Sequence, residues 1–197
     1  MRTCVVTGSL GLVGSHAVKF LTDKFDVIIG IDNDHRLKLF GTSGVTNMPT
    51  ASNYNHIDAD IRSINWDGIL NSEVKLIIHA AGQPSHDWAT DNVIEDYEIN
   101  AWSSLRMLEK IRTLCPKSVV VFCSTNKVYG DYPNSLRYTE RSKRYERFDE
   151  FSEEIPIDNQ LHPFFGCSKL SADLYFQQSR GDAVRAVCGI WWRSLDG

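Results

Sequence analysis

Short apolar runs alternate with amphipathic stretches along most of the chain. Six runs rich in Val and Ile predict β-strands at residues 2–6, 26–31, 54–58, 75–79, 118–123 and 183–188. Several are almost continuously apolar, as is typical of strands covered on both faces. Helical spacing predicts helices at residues 13–22, 66–71, 92–113 and 163–179, the third with Asp91 as its N-cap. This alternation predicts an α/β fold with a Rossmann-type, doubly wound parallel sheet.

Residues 131–160 interrupt the alternation. They are polar, with a dense run of charges between Arg137 and Arg147. One interpretation is a solvated insertion, and the other is a substrate or partner contact, since long loops in compact domains are often functional. We expect a single domain over residues 1–197 that carries this insertion.

Composition narrows the classes of function. A chain of 197 residues with 42% hydrophobic residues can bury a core of its own. The net charge of -4 supplies no basic surface, so we expect no nucleic-acid partner. No apolar run reaches the roughly 20 residues of a membrane span, and the N-terminus shows no signal peptide. The five scattered cysteines predict reduced thiols, no metal site and a cytoplasmic location.

A glycine-rich stretch lies between the first predicted strand and the first predicted helix. Gly8, Gly11 and Gly14 follow one another at spacings of three. In a dinucleotide-binding turn the first glycine permits the bend, the second leaves backbone bare for phosphate, and the third lets helix and strand approach. Asp32 ends the next strand, at the distance expected of a ribose-binding carboxylate. The stretch therefore predicts a pyrophosphate site at a helix N-terminus.

Other strand ends extend this prediction. A carboxylate at Asp32 repels a 2′-phosphate and favours NAD over NADP, although Arg36 lies close enough to weaken that preference. Asp60 follows the third strand, where it is either an adenine ligand or part of a solvated turn. Ala80 and Ala81 follow the fourth strand, and such small residues let a cofactor lie against the backbone.

Candidate reactive groups follow the later strands. The hydroxyl of Thr125 comes after the fifth strand, where a substrate would lie. His86 is either a surface-loop histidine or a substrate contact. Phe165 and Lys169 are four residues apart on the last predicted helix and share one face. Lys169 is therefore either a ligand of the cofactor ribose or an ordinary surface lysine.

Together these motifs resemble the extended short-chain dehydrogenase/reductase superfamily of nucleotide-sugar enzymes, the NAD-dependent epimerases and dehydratases. The shared motifs are Thr-Gly-x-x-Gly-x-x-Gly, Asp-x-Arg and a Ser or Thr three residues before Val-Tyr-Gly. Four longer strings are more similar to a subfamily of CDP-hexose epimerases: Ile-Asp-Asn-Asp, Gln-Pro-Ser-His-Asp-Trp, Ser-Thr-Asn-Lys-Val-Tyr-Gly and Phe-Gly-Cys-Ser-Lys. The resemblance covers residues 2–187.

The resemblance implies roles for matching positions. Residues implied to hold NAD are Gly8, Gly11, Leu12, Val13, Gly14, Asp32, Asn33, Arg36, Asp60, Ile61, Ala80, Ala81, Gln83, Asn100 and Lys169. Residues implied to line the site of a nucleotide sugar, here a CDP-hexose, are Gln83, Ser85, His86 and Asn126. Thr125 would hydrogen-bond the reacting sugar oxygen. The implied reaction is epimerisation by transient hydride transfer, in a homodimer formed through the helices at 92–113 and 163–179.

The chain departs from the family at its proton-transfer residue. Phe165 stands where the family has the Tyr of its catalytic Tyr-x-x-x-Lys pair. Candidate substitutes for the missing hydroxyl are Tyr129, His86, Cys167 and a water held by Thr125 and Lys169. Two hypotheses follow, an enzyme with a relocated acid–base group and an NAD-binding module without catalysis. A dehydratase or reductase is a further alternative, which Asn126 and Lys127 disfavour because dehydratases carry an acid–base pair there.

The last residues also differ from the family, whose members continue into a smaller domain that closes over the nucleotide sugar. We therefore expect the C-terminal substrate subdomain to be missing. Residues 189–197 resemble nothing in the family. One interpretation is a truncated, frameshifted or engineered end, and the other is a natural short form in which Trp191 and Trp192 cover the core or form a dimer contact.

Overall fold

The computed structural model describes residues 1–45, 48–147, 155–179 and 185–188. Six parallel strands form one sheet in the order β3-β2-β1-β4-β5-β8. These strands are β1 (Thr3–Thr7), β2 (Val27–Ile31), β3 (Tyr54–Ile57), β4 (Val74–His79), β5 (Val119–Phe122) and β8 (Arg185–Cys188). The strand order reverses between β1 and β4, which is the topological switch point of a doubly wound sheet. The predicted Rossmann-type fold is confirmed.

The central strand β1 is buried on both faces because alternate side chains enter two different cores. Val5 packs in a large cluster with Ile77 of β4 and Phe122 of β5. Cys4 and Val6 point the other way, into a smaller cluster on the α1 side of the sheet. A continuous apolar run is what a strand needs when both of its faces are covered.

The helices lie on the connections between strands. They are α1 (Leu12–Leu21), α2 (His35–Phe40), α3 (His86–Asp91), α4 (Val93–Tyr97), α5 (Ser103–Leu114) and α6 (Phe164–Gln178). A π-helical turn over Glu98–Trp102 joins α4 to α5. None of the helices in the described ranges is long and apolar enough to cross a membrane.

The long helix predicted at 92–113 exists as α4, the π-turn and α5, but its start was predicted wrongly. Asp91 is the last residue of α3, and Asn92 precedes α4 without a capping side-chain hydrogen bond. The six-residue helices α2 and α3 were not predicted. Neither shows an apolar period, because α2 buries none of its residues and α3 buries only Ala89. The helix predicted at 66–71 is a 3₁₀ turn over Trp66–Gly68.

The polar insertion contains a small hairpin that the sequence analysis did not predict. Strands β6 (Tyr138–Glu140) and β7 (Tyr145–Arg147) pair in antiparallel fashion. Residues 148–154 of the insertion lie outside the described part of the chain, as do Trp191 and Trp192.

Candidate functional site

A groove of about 520 Å³ lies at the carboxyl ends of the strands around the switch point. Residues that follow β1, β2, β3 and β4 all contribute to its wall. The groove brings together every predicted cofactor residue except Asn100 and Lys169: Gly8, Gly11, Leu12, Val13, Gly14, Asp32, Asn33, Arg36, Asp60, Ile61, Ala80, Ala81 and Gln83. Ligands of open α/β sheets bind at this place in the fold.

The glycine turn forms a cradle of bare backbone at one end of the groove. Gly8 has a φ of +68°, and a Cβ there would lie 2.7 Å from the backbone of Ala81. A Cβ on Gly14 would lie 2.0 Å from the Gly8 carbonyl oxygen, so helix and turn could not approach. A Cβ on Gly11 would meet only that oxygen, at 3.5 Å, so its space is open to a ligand. With α1 starting at Leu12, the cradle fits a pyrophosphate at a helix N-terminus.

Asp32 is held at the end of β2 by backbone donors. Its Oδ2 accepts from the Leu10 N–H at 3.0 Å, and its Oδ1 accepts from the Asp34 N–H at 2.8 Å. Each carboxylate oxygen keeps a second lone pair for a further donor, such as a ribose hydroxyl. The carboxylate is therefore fixed in position and still able to receive a ligand.

Residues 34–45 form a part of the groove wall that the sequence analysis largely missed. Asp34 adopts a left-handed conformation, and its Oδ1 accepts from the Gly44 N–H at 2.9 Å, which closes this segment into a loop. The guanidinium of Arg36 lies 5.3 Å from the centre of the Phe40 ring. No apolar periodicity marks the loop, and the hydrogen bond between Asp34 and Gly44 is the feature that shapes it.

Asp60 is engaged by a neighbouring arginine. Its carboxylate accepts from Arg62 Nη2 at 2.7 Å and from Arg62 Nε at 3.1 Å. Partial burial opposes ionisation of Asp60, but the Arg62 hydrogen bonds outweigh it, and the pKa of Asp60 lies below its ordinary value. Arg62 also donates to Glu95 of α4 at 3.0 Å. Asp60 thus anchors the segment after β3 to α4, and adenine binding by Asp60 and Ile61 stays a prediction.

His79 ends β4 and is buried beside the rings of Phe122 and Phe176, which stack on each other. Its Nδ1 lies 2.7 Å from Thr7 Oγ1, and its Nε2 lies 3.0 Å from Ser104 Oγ. The Ala81 N–H already donates to Thr7 Oγ1.

The directions of these hydrogen bonds follow from Ser104, whose hydroxyl donates to the Asn100 carbonyl at 2.7 Å. Its oxygen is therefore free to accept from His79 Nε2–H, and Nδ1 accepts from the Thr7 hydroxyl. Burial, assisted by the charge of Lys169, lowers the pKa of His79 to about 3. His79 is therefore neutral, and its hydrogen bonds connect Thr7, at the end of β1, to Ser104 and the π-turn.

Gln83 and Asn100 have hydrogen-bond partners within the protein, and their predicted ligand contacts stay a prediction. Asn100 Oδ1 accepts from the Gln83 N–H at 2.9 Å, and its Nδ2 donates to Ser168 Oγ at 3.1 Å. The Gln83 amide donates to the Ser85 carbonyl at 2.8 Å and to Asp96 Oδ1 at 2.7 Å. Both side chains are buried.

A second cavity of about 510 Å³ brings together two of the predicted substrate residues, His86 and Asn126. Ser85 caps α3, because its hydroxyl accepts from the Trp88 N–H at 3.2 Å, and a substrate contact by Ser85 stays a prediction. The rest of the wall was not among the predicted substrate residues: Lys127, Tyr129, Gly130, Asp131, Pro133, Asn134, Tyr138, Leu161, His162 and Pro163. Of these, Tyr129 was predicted only as a candidate acid–base group, and residues 131–160 were predicted as either a solvated insertion or a substrate or partner contact. Many of these come from the insertion and the residues just before α6, which meet only in three dimensions.

Lys169 is buried and donates from Nζ to the Cys123 carbonyl at 2.7 Å. Its Nζ lies 4.3 Å from the centre of the Phe122 ring and 4.0 Å from where a Cβ on Gly82 would be. Gly82 lines the groove, so the ammonium lies close to its end. Phe165 is buried one helical turn earlier.

Thr125 is half-buried after β5, where its hydroxyl caps a 3₁₀ turn over Asn126–Tyr129. Of the proposed substitutes for a tyrosine hydroxyl, Tyr129 is buried, Cys167 is exposed and His86 lines the second cavity. In the part of the chain that the structure describes, no three His, Cys, Asp or Glu side chains are grouped to hold a metal ion.

Comparison with known proteins gives consistent matches. Residues 4–192 match the sequence model of the NAD dependent epimerase/dehydratase family. CDP-paratose 2-epimerase of Salmonella typhi is 31% identical over 179 residues, which are 87% of this chain and 51% of that protein. The chain thus spans about half the length of this relative.

Solved structures agree on the fold. The UDP-N-acetylglucosamine 4-epimerase of Methanobrevibacter ruminantium superposes with a TM-score of 0.69 at 21% identity, over 95% of this chain and 53% of that chain. The Bordetella bronchiseptica enzyme WbmF, solved in complex with NAD⁺, gives a TM-score of 0.68 at 17% identity, over 95% of this chain and 48% of that chain.

Proposed function

Because the chain belongs to the NAD-dependent epimerase/dehydratase family, we propose that it binds NAD and contributes to epimerisation of a nucleotide sugar. The observation that carries the proposal is the open backbone cradle at Gly11, next to the fixed carboxylate of Asp32. The negative charge of Asp32 disfavours a 2′-phosphate, which supports NAD over NADP. The 31% identity to a CDP-paratose 2-epimerase supports a CDP-hexose as the sugar.

Each part of the groove would have its own role in binding. Gly8, Gly11 and Gly14 would hold the pyrophosphate on bare backbone, and Asp32 would accept hydrogen bonds from the ribose hydroxyls. Lys169 reaches the far end of the groove with a cation that the Cys123 carbonyl orients. The chemistry supplied by a bound nicotinamide is reversible acceptance of a hydride from a sugar carbon. Thr125, at the start of the turn that follows β5, would hydrogen-bond the reacting oxygen.

Proton transfer is the step for which the chain lacks the family group. Phe165 has no atom that can hold or move a proton, so another group must accept the hydroxyl proton as the sugar is oxidised. His86 and Tyr129 both line the second cavity, but the His86 side chain is half exposed whereas Tyr129 is buried, so His86 is the more accessible to a substrate. A relocated acid–base group of this kind keeps the chain an enzyme.

A second candidate function is NAD binding without catalysis, and the buried phenyl ring of Phe165 is the observation that favours it. Assay of the Phe165→Tyr variant separates the two functions. A large gain in turnover favours a module that has lost its chemistry, whereas loss or no change favours a relocated group.

We also propose a homodimer and a cytoplasmic location. Exposed apolar side chains on α4, the π-turn and α6 support the dimer, namely Ile94, Tyr97, Trp102, Phe164, Leu174 and Tyr175. The thiols of Cys4, Cys115, Cys123 and Cys167 are free, which suits a reducing compartment.

The test begins with the purified chain. Denaturation should release NAD, identified by chromatography and absorbance. Separate additions of CDP-hexoses and UDP-hexoses should then show which sugar generates the absorbance of reduced nicotinamide. Bound NAD that no sugar reduces supports the binding module, and failure to bind NAD at all overturns the proposal.

A further inference from the structure

Residues 81–85 connect the groove to the second cavity without regular secondary structure, yet buried side chains hold them at three points. The Ala81 N–H donates to Thr7 Oγ1 at 3.2 Å. The Gln83 N–H donates to Asn100 Oδ1 at 2.9 Å. Ser85 is held by the Gln83 side chain. Because hydrogen bonds hold the backbone at Ala81, Gln83 and Ser85, the segment is fixed in this conformation, and it forms part of the groove wall.

The Gln83 amide contacts both backbone groups of Ser85. Its Nε2 donates to the Ser85 carbonyl at 2.8 Å, and its Oε1 accepts from the Ser85 N–H. The two contacts need opposite ends of the amide, so rotation of the amide by half a turn would break both. Ser85 in turn caps α3, which starts at His86 on the second cavity.

Asp96 is the group that fixes this orientation. Its Oδ1 accepts from Gln83 Nε2 at 2.7 Å and from Asn100 Nδ2 at 3.0 Å. An acceptor at this point requires both amides to turn their NH₂ groups toward it, which leaves Gln83 Oε1 for Ser85 and Asn100 Oδ1 for Gln83.

Burying the Asp96 carboxyl at this position lowers the stability of the fold. It is 1% exposed, and within the described residues its Oδ2 has no hydrogen-bond partner. Burial raises the pKa of Asp96, although hydrogen bonds and the charge of Lys169 oppose the shift. A buried polar atom without a partner costs stability, so fold stability alone does not account for a carboxyl here.

The backbone around these residues is also unusual. Asn100 lies in the π-turn that follows Asp96, and the His79–Ser104 chain of hydrogen bonds ends on the Asn100 carbonyl. Single π-turns within helices occur frequently at functional sites.

We propose that Asp96 is a positioning residue, whose acceptor oxygen orients Gln83 and Asn100 and thereby holds residues 81–85 in the conformation that receives the dinucleotide. The inference rests on the proposed function in so far as that ligand is NAD. Disorder in this segment would have to be removed at each binding event, which weakens affinity.

The test compares three variants of the full chain by NAD titration calorimetry and thermal unfolding. Asp96→Leu removes the acceptor and should weaken NAD binding about tenfold or more. Asp96→Asn keeps one acceptor oxygen and should stay within about threefold of wild type. In the double variant Asp96→Leu/Gln83→Leu the unpaired amide is gone, so stability should recover in part while NAD affinity stays low.

The control is Asp91→Leu, the same substitution at an exposed site at the end of α3, which should change neither quantity. Wild-type affinity in folded Asp96→Leu overturns the inference. So does equal weakening in Asp96→Asn, or affinity that recovers together with stability in the double variant.

A measurement without ligand separates this inference from the proposed function. Hydrogen exchange at the Gln83 and Ser85 amides should accelerate in Asp96→Leu and remain slow in Asp96→Asn. If the wild-type chain binds no NAD, the proposed function fails, and this exchange pattern still supports the role of Asp96. Unchanged exchange in Asp96→Leu contradicts that role.

Discussion

Gly11 and Gly14 belong to one glycine turn, yet each must be glycine for a different reason. Gly14 leaves no space for a Cβ, because the Gly8 carbonyl oxygen would lie 2.0 Å from it. Gly11 has space within the protein, so only a ligand would require the side chain to be absent. The spacing alone does not separate these requirements, because the space around each glycine depends on which backbone atoms the fold brings near it.

The two requirements predict different defects. Gly14→Ala should lower the unfolding midpoint strongly, because the clash is with backbone. Gly11→Ala should keep a midpoint close to wild type and lose NAD affinity by about tenfold or more, because its methyl group occupies the phosphate cradle.

Calorimetric titration and thermal unfolding measure both quantities, and Gly68→Ala is the control because a Cβ there meets nothing within 4 Å. Unchanged NAD affinity in Gly11→Ala would contradict the cradle.

The buried histidine predicts a specific pH dependence. The pKa of His79 is lowered from 6.5 to about 3, so between these values the unfolded chain binds a proton that the folded chain excludes. Stability from this residue is complete above pH 6.5 and is lost as the pH falls toward 3. The slope of unfolding free energy with pH in this window should fall by up to about 1.4 kcal/mol per pH unit in His79→Gln.

Denaturant titrations at several pH values measure this slope. His16→Gln, at an exposed histidine of α1, controls for the loss of one histidine and should reproduce the wild-type slope. An unchanged slope in His79→Gln would mean that His79 is accessible to protons in the folded state.

At the scale of elements, Arg62 connects the segment after β3 to α4. It contacts Asp60 and Glu95 while its side chain is 25% exposed, and Arg106 donates to its carbonyl. Such contacts between elements were not predictable, because Arg62 and Glu95 are 33 residues apart.

Removing this connection should destabilise the fold measurably. Arg62→Met keeps the aliphatic stem but removes the hydrogen bonds to Asp60 and Glu95, at a cost of about 1–2 kcal/mol. Denaturant unfolding provides the measurement. Arg112→Met removes the exposed pair with Glu109 and should leave the midpoint near wild type. Equal effects of the two substitutions would show that the connection adds nothing beyond a surface ion pair.

For the whole molecule, the reversal of strand order between β1 and β4 opens the groove, and the exposed apolar residues of α4 and α6 support the proposed homodimer.

The proposed homodimer predicts a change in mass with one substitution. Ile94→Glu introduces a charge at a side chain that is 73% exposed on α4 and should raise the dimer dissociation constant about tenfold or more. Phe20→Glu, at a residue of α1 that is 69% exposed, should leave association unchanged. Sedimentation velocity over a range of concentrations measures both. Equal sedimentation of Ile94→Glu and wild type at every concentration would place the interface elsewhere.

Much of the fold and half of the candidate site could be read from local pattern. Strands covered on both faces need continuous apolar runs, and the turn after β1 needs glycine where φ is positive, so residues 2–6 and Gly8 were recognisable from neighbouring residues alone. Asp32 was recognisable because it comes at the end of the apolar run that follows the glycine turn and the first helix.

The rest depended on contacts between distant parts of the chain. Gln83 is hydrogen-bonded to Asp96 and Asn100, the latter 17 residues away, and Asn100 donates to Ser168 across 68 residues, and none of these partners was predicted. The second cavity likewise joins α3 to the insertion and the start of α6. Local sequence sets the backbone preference and burial of a residue, whereas the partner that satisfies a buried polar group is chosen when the chain folds on itself.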